Sequence, residues 1–129
     1  MITSLVPTEM APPFAKYAHG VLETNSGLIL TSGQLAAEKS GRIPDSAQEQ
    51  AELIFSNIDQ ILIAAGTTKA GTLRVNAYVT DRKHMAGYMV ARDAWLSDVE
   101  HLPASTLMVV RGFTCPEFLV EIEVTAVIL

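Results

Sequence analysis

From Phe118 to Ile128 the chain alternates almost without error. Phe118, Val120, Ile122, Val124, Ala126 and Ile128 fall on one face, and Leu119, Glu121, Glu123, Thr125 and Val127 on the other. A side-chain period of two predicts a β-strand with the first set as its core face. The second face is mixed. Its two carboxylates stand two residues apart, roughly 7 Å by strand rise, between apolar neighbours. That pattern fits two solvated glutamates on a half-exposed strand. The sharper alternative is a carboxylate at the rim of an apolar pocket, where desolvation and a fixed position could make it a base or a water holder.

The same patterning organises the rest of the chain. Residues 1–13, with Pro7, Pro12 and Pro13, read as an extended lead-in without regular structure. Strands are predicted at Tyr17–Leu22 and Leu28–Ser32, joined by the turn-rich Glu23-Thr24-Asn25-Ser26-Gly27 as a hairpin. Residues 35–44 form a loop leading to a helix. Its start is marked by the capping pair Ser46 and Glu49, and its end by Gly66. Ala51, Ile54, Phe55, Ile58, Ile61, Leu62 and Ala65 recur at three- and four-residue spacing, with Gln50, Glu52, Ser56 and Gln60 placed off that face. A strand follows at Leu73–Thr80, then a second helix capped by Asp81, with Met85, Tyr88, Met89 and Trp95 read as core residues. Ser105–Val110 is apolar on both faces, which predicts cover on both sides, the second from another subunit. The element order, ββ-α-β-α-ββ, implies an α+β layer architecture in a single domain spanning 1–129.

Composition narrows the function classes. Of the residues, 49% are apolar and 18% charged, so the chain is no disordered polymer, and the net charge of −5 argues against a nucleic-acid partner. A single cysteine, Cys115, removes any intrachain disulfide. No leader pattern and no apolar run of membrane length occurs, so a soluble, cytoplasmic protein without a membrane partner is expected. His19, His84 and His101 match no zinc spacing, and neither a metal nor a cofactor is expected. There is no phosphate-cradling glycine loop and no G-x-S-x-G elbow. Cys115 has nothing in its local sequence to lower its pKa and reads as an inert thiol. Thr31-Ser32-Gly33-Gln34 offers a hydroxyl beside an accessible backbone N–H, a weak signal alone.

Four pieces together carry more. Leu30-Thr31-Ser32-Gly33-Gln34, Val75-Asn76-Ala77-Tyr78-Val79-Thr80-Asp81, Pro103-Ala104-Ser105 and Leu119 through Val127 resemble, in this order, the RidA/YjgF family of small trimeric proteins. The family has also been described as translation inhibitors or L-PSP endoribonucleases. The resemblance implies a chorismate-mutase-like α+β domain: a mixed β-sheet with two helices packed on one face. It further implies a homotrimer with a central β-barrel and ligand clefts between subunits. Active members hydrolyse reactive 2-imino or 2-enamino acids to 2-keto acids and ammonia without a cofactor. An arginine after Pro-Ala clamps the substrate carboxylate, a glutamate holds the attacking water, and a tyrosine and a Ser-Gly turn line the cleft. By resemblance these last roles fall on Glu121, Tyr17, Ser32 and Gly33.

The arginine is absent. Its place holds Ser105, followed by Thr106 and Leu107, and a helix position often occupied by asparagine holds Met89. Losing a desolvated, bidentate Arg–carboxylate contact typically costs about 2–5 kcal/mol. The expected activity is therefore hydrolysis of a reactive imine, enamine or related small intermediate other than a simple 2-imino acid. Glu121 would act as the catalytic residue and Tyr17, Ser32, Gly33, Ser105 and Thr106 as substrate-binding residues, with Arg74 or Arg111 as conceivable stand-ins for the clamp. The alternatives are a non-catalytic small-molecule-binding trimer and, least favoured by the acidic charge, a ribonuclease or translation inhibitor.

Overall fold

A computed structural model describes residues 1–129. Seven strands and two helices follow in the order β1 (Ile2–Leu5), β2 (Gly20–Glu23), β3 (Leu28–Thr31), β4 (Gln34–Leu35), α1 (Ala47–Ala65), β5 (Thr72–Val79), α2 (Met85–Trp95), β6 (Ala104–Val109) and β7 (Val120–Val127). One mixed sheet runs β1-β2-β3-β7-β5-β6, with β4 also on β7. Only β5 and β6 are parallel, as the helical crossover between them requires. The alternating C-terminal stretch is thus the sheet's central strand. Val120, Ile122, Val124 and Ala126 are buried beneath the helices, and Glu121, Glu123, Thr125 and Val127 face the other way.

α1 begins and ends as its sequence dictates. The Ser46 hydroxyl accepts from the Glu49 N–H and donates to the Glu49 carboxylate. At the far end Gly66 adopts a φ of 92°, its N–H bonding to Ile63 while Thr67 N–H reaches Leu62. Asp81 caps a short 3-10 turn over Arg82–His84, which runs straight into α2. The helices meet through Phe55, whose ring stacks 4.6 Å from Trp95 and 6.3 Å from Tyr88. The Trp95 indole N–H donates to Asp59 at 2.9 Å, holding the C-terminal end of α2 on α1.

Four sequence expectations need correcting. Residues 2–5 are not a loop: Ile2–Leu5 pairs antiparallel with β2, a strand too short for its own periodicity to show. The strand expected at Tyr17–Leu22 starts instead at Gly20. Tyr17 lies before it, in a bend whose Ala18 and His19 carbonyls are taken by Ser32 rather than by a ladder partner. Met89 is 38% exposed, on the outer side of α2. Gln50 is fully buried, not turned to solvent. Its amide N–H₂ donates to the Pro44 and Glu117 carbonyls, both at 2.8 Å, and its carbonyl oxygen accepts from Leu119 N–H at 2.9 Å. A polar side chain so fully bonded is stable on the apolar face of a helix. It ties the loop before α1 to the segment that leads into β7.

The sheet face away from the helices has no cover within the chain. Leu28, Leu30 and Met108 on it are 37–52% exposed, and β6 is an open edge with Val109 at 46%.

Candidate active site

β3 and β4 would be one strand but for Ser32 and Gly33. At this break the Thr31 hydroxyl accepts the Val124 N–H at 2.9 Å, replacing a ladder bond. The Ser32 N–H donates to His19 O at 2.8 Å and its hydroxyl donates to Ala18 O at 2.7 Å. With its proton so committed, Ser32 presents a lone pair to any ligand. Behind it His19 is buried, Nε2–H donating to Ala11 O at 2.7 Å and Nδ1 accepting from the Gln34 amide at 3.4 Å. The histidine is a packed, satisfied residue that anchors the proline-rich segment.

Leu35 pairs directly with Glu121, so the break sits over that glutamate. A Cβ on Gly33 would lie 2.8 Å from the Glu121 Cδ and 2.9 Å from its Oε1. Only a residue without a side chain lets the carboxylate rest against the turn. Glu121 is half-buried and accepts no hydrogen bond from the protein; burial first, and then the charge of Glu123, push its pKa above the usual 4.5. Glu123 differs: it accepts the Tyr78 hydroxyl at 2.5 Å, a bond that, with burial, drives that tyrosine's pKa to about 12. Of the paired carboxylates, one is bonded and one is free.

The free one opens into a cleft of about 640 Å³ lined by Phe14, Tyr17, Ser32, Gly33, Leu35, Phe113, Thr114 and Glu121. Phe14 and Tyr17 meet edge to face at 5.9 Å, forming an aromatic wall. The cleft therefore gathers Tyr17, Ser32, Gly33 and Glu121. It does not include Ser105 or Thr106. Ser105 pairs with the buried Val75 and opens on the helix side of the sheet, opposite to Glu121. Thr106 shares the outer face but accepts from Arg74 Nη1 at 3.0 Å, which also engages that arginine. Arg111 lines a separate hollow with Thr80 and Cys115. Phe14, Leu35, Phe113 and Thr114 were not foreseen. An aromatic three residues before Tyr17 in a proline-bounded segment was the available signal for Phe14; Phe113 and Thr114 had none, because a loop's return to a cleft leaves no periodicity. No three His, Cys, Asp or Glu side chains converge where a metal could sit. A half-buried carboxylate left unbonded among apolar walls is a group that can hold a water and take its proton.

Comparison with known proteins gives the family. The family model described as Endoribonuclease L-PSP matches residues 8–128. A "RutC family protein" of Aquifex aeolicus is 32% identical over 124 residues, covering 95% of this chain and 97% of that one. The "Putative reactive intermediate deaminase TdcF" of Escherichia coli K12 is 30% identical over 84 residues, 64% of each chain. Among solved structures, yeast Mmf1 superposes with a TM-score of 0.88 at 23% identity over 98% of both chains. The Rid protein YyfA of Yersinia pestis gives 0.90 at 21%, covering 98% of this chain and 99% of its own. With a family model matching nearly the whole sequence and the fold shared throughout, this chain belongs to the RidA/YjgF family, also described as Endoribonuclease L-PSP.

Proposed function

We propose that this protein hydrolyses a reactive imine or enamine, with Glu121 as the general base, in clefts between the subunits of a homotrimer. The observation that carries the reading is the state of Glu121: half-buried, unbonded and pressed against Gly33 at the floor of an apolar cleft. Such a carboxylate can take a proton from water while the water oxygen bonds to the imine carbon. That proton passes to nitrogen, giving a tetrahedral adduct; its hydroxyl proton then follows to nitrogen as the carbon–nitrogen bond breaks and the carbonyl forms, so that a carbonyl compound and ammonia leave. No redox partner is consumed. A relative named as a reactive intermediate deaminase supports the same chemistry. The exposed Leu28, Leu30 and Met108 supply an apolar face for subunit contact.

The test is ammonia release from freshly generated imines. Removing a general base typically costs about 10²–10⁴-fold in rate, and Glu121→Gln is expected to lose that much. Equal turnover in the variant would remove Glu121 from the reaction, and no turnover by the wild type across a broad imine panel, with measurable ligand binding, would leave a binding protein in its place. RNA cleavage abolished by Glu121→Gln would favour the ribonuclease reading. Light scattering should give a mass about three times the 13.9 kDa chain; a monomer at micromolar concentration would sink the intersubunit cleft.

A further inference from the structure

The charged and committed groups of the Glu121 cleft favour one sign of ligand. Phe14, Tyr17 and Phe113 supply three aromatic rings, and Glu121 is the one charged residue on a lining that holds no lysine, arginine or histidine. Phe14 is 65% and Tyr17 38% exposed, so parts of both rings stand open to a guest. The two rings meet at an interplanar angle of 86°, which turns their faces in different directions and forms a corner. An aromatic face is the negative part of the ring's quadrupole and attracts a cation. Ser32 adds to the same field. Its hydroxyl proton is engaged by Ala18 O at 2.7 Å, which leaves a lone pair for an incoming donor. The Glu121 carboxylate accepts nothing from the protein, and the one charge that acts on it is that of another carboxylate, Glu123. Over longer range the net charge of −5 draws cations toward the chain.

We propose that the substrate bound here is a cation: a protonated imine, or iminium, with an apolar or aromatic body and no carboxylate. This deepens the hydrolase reading above and rests on it. The aromatic corner receives the positive carbon–nitrogen unit or its flanking ring, Ser32 accepts one iminium N–H, and Glu121 supplies the counter-charge. A substrate carboxylate meets the opposite: like charge at Glu121 and no cation on this chain's wall to pair with it. At about 640 Å³ the cleft has room for a body larger than a few carbons. The positive charge also serves the chemistry. An iminium carbon is more electrophilic than a neutral imine carbon, and a nearby cation favours the ionised form of Glu121, which burial and Glu123 oppose. Water gives its oxygen to the iminium carbon and a proton to Glu121, forming a neutral carbinolamine. Glu121 returns that proton to nitrogen and takes the hydroxyl proton as the carbon–nitrogen bond breaks. A carbonyl compound and ammonia leave, and the remaining proton passes from Glu121 to ammonia, giving ammonium.

The experiment compares three probes that share one ring. Benzylammonium, benzyl alcohol and benzoate are titrated into the intact protein at neutral pH and followed by calorimetry. Benzylammonium should bind most tightly and benzoate least. Phe14→Leu keeps an apolar side chain but removes a ring face, and should weaken benzylammonium about three- to tenfold more than benzyl alcohol. Glu121→Gln should narrow the gap between those two probes by about tenfold or more. Turnover is read as ammonia release from imines freshly made by oxidising 2-phenylethylamine and phenylalanine, which differ by a carboxylate. The protein should accelerate the first about tenfold or more beyond the second, each measured against its spontaneous rate. Benzoate bound as tightly as benzylammonium, or no binding of benzylammonium, would overturn the proposal. So would a benzylammonium affinity that both variants leave unchanged within about twofold. The two readings fail separately. A carboxylated imine turned over better, still dependent on Glu121, refutes the cation reading and leaves the hydrolase. Benzylammonium binding that depends on Phe14 and Glu121, without Glu121-dependent ammonia release from either imine, refutes the hydrolase and leaves a cation-binding cleft.

Discussion

Replacing Gln50 by methionine tests the claim that one buried amide holds the two sides of the cleft loop together. The two side chains are close in volume, and methionine's flexibility lets it fill the site, so cavity cost is small. What changes is polar. Leu119 N–H loses its acceptor, and the Pro44 and Glu117 carbonyls lose their donor. Glu117 is exposed, so its carbonyl can turn to water. Two groups remain dry, and at about 1–3 kcal/mol each the loss is about 2–6 kcal/mol. For a chain of this length that is a fall in Tm on the order of 7–22 °C. Urea melts by circular dichroism, at one fixed protein concentration because subunit assembly adds stability, measure it directly. Gln50→Ala should fall further, since it adds a cavity. A Gln50→Met variant within about 1 kcal/mol of wild type, less than the cost of a single orphaned group, would refute the reasoning.

Three further outcomes follow from the free carboxylate. The folded protein raises the pKa of Glu121, so its native state holds the proton more firmly than the unfolded chain, and stability falls as pH rises from the unfolded through the folded pKa. Glu121→Gln should therefore stabilise the fold at pH 7, with the gain vanishing below about pH 4, where both states are protonated; thermal melts at the two pH values check the sign, and an equal gain at both would contradict it. Turnover should rise with pH as Glu121 ionises, and Glu123→Gln, which removes the second cause of the raised pKa, should move that rise to lower pH in a pH–rate profile. Gly33→Ala places a carbon within 3 Å of the carboxylate and should lower kcat while leaving the melting temperature far closer to wild type than Gln50→Met does; unchanged kcat would show that the contact has no bearing on catalysis.

Much of the architecture was legible because burial writes itself into periodicity. β7 alternates, α1 carries its caps and stripe, and the Ser-Gly break was visible beside a strand end. Glu121 stood out because a carboxylate on a half-apolar face invites two readings, and the pairing of Leu35 with Glu121, which brings the Gly33 turn over the carboxylate, favours one of them. What escaped were effects of register and long-range bonding. Gln50 looks like a solvent residue until its three partners, up to 69 positions away, are in place. Phe14 and Phe113 look like ordinary loop residues, and their meeting around Glu121 depends on how two separate loops fold onto the sheet. Strand β1 was missed because four residues hold too little pattern to read.

The position of β7 bears on how the protein is made. Strands β1 to β3 form one antiparallel group and β5 and β6 another, and the two groups share no edge except through β7. On a ribosome both halves emerge first, each with an open margin and an apolar face, and neither can close until the last strand of the sheet is released. Vectorial synthesis therefore yields no stable half-sheet, and completion of the fold waits for a keystone delivered last. Nascent chains stalled before β7 should be clients for chaperones, and the same strand that carries the free glutamate is the one whose arrival ends that exposure.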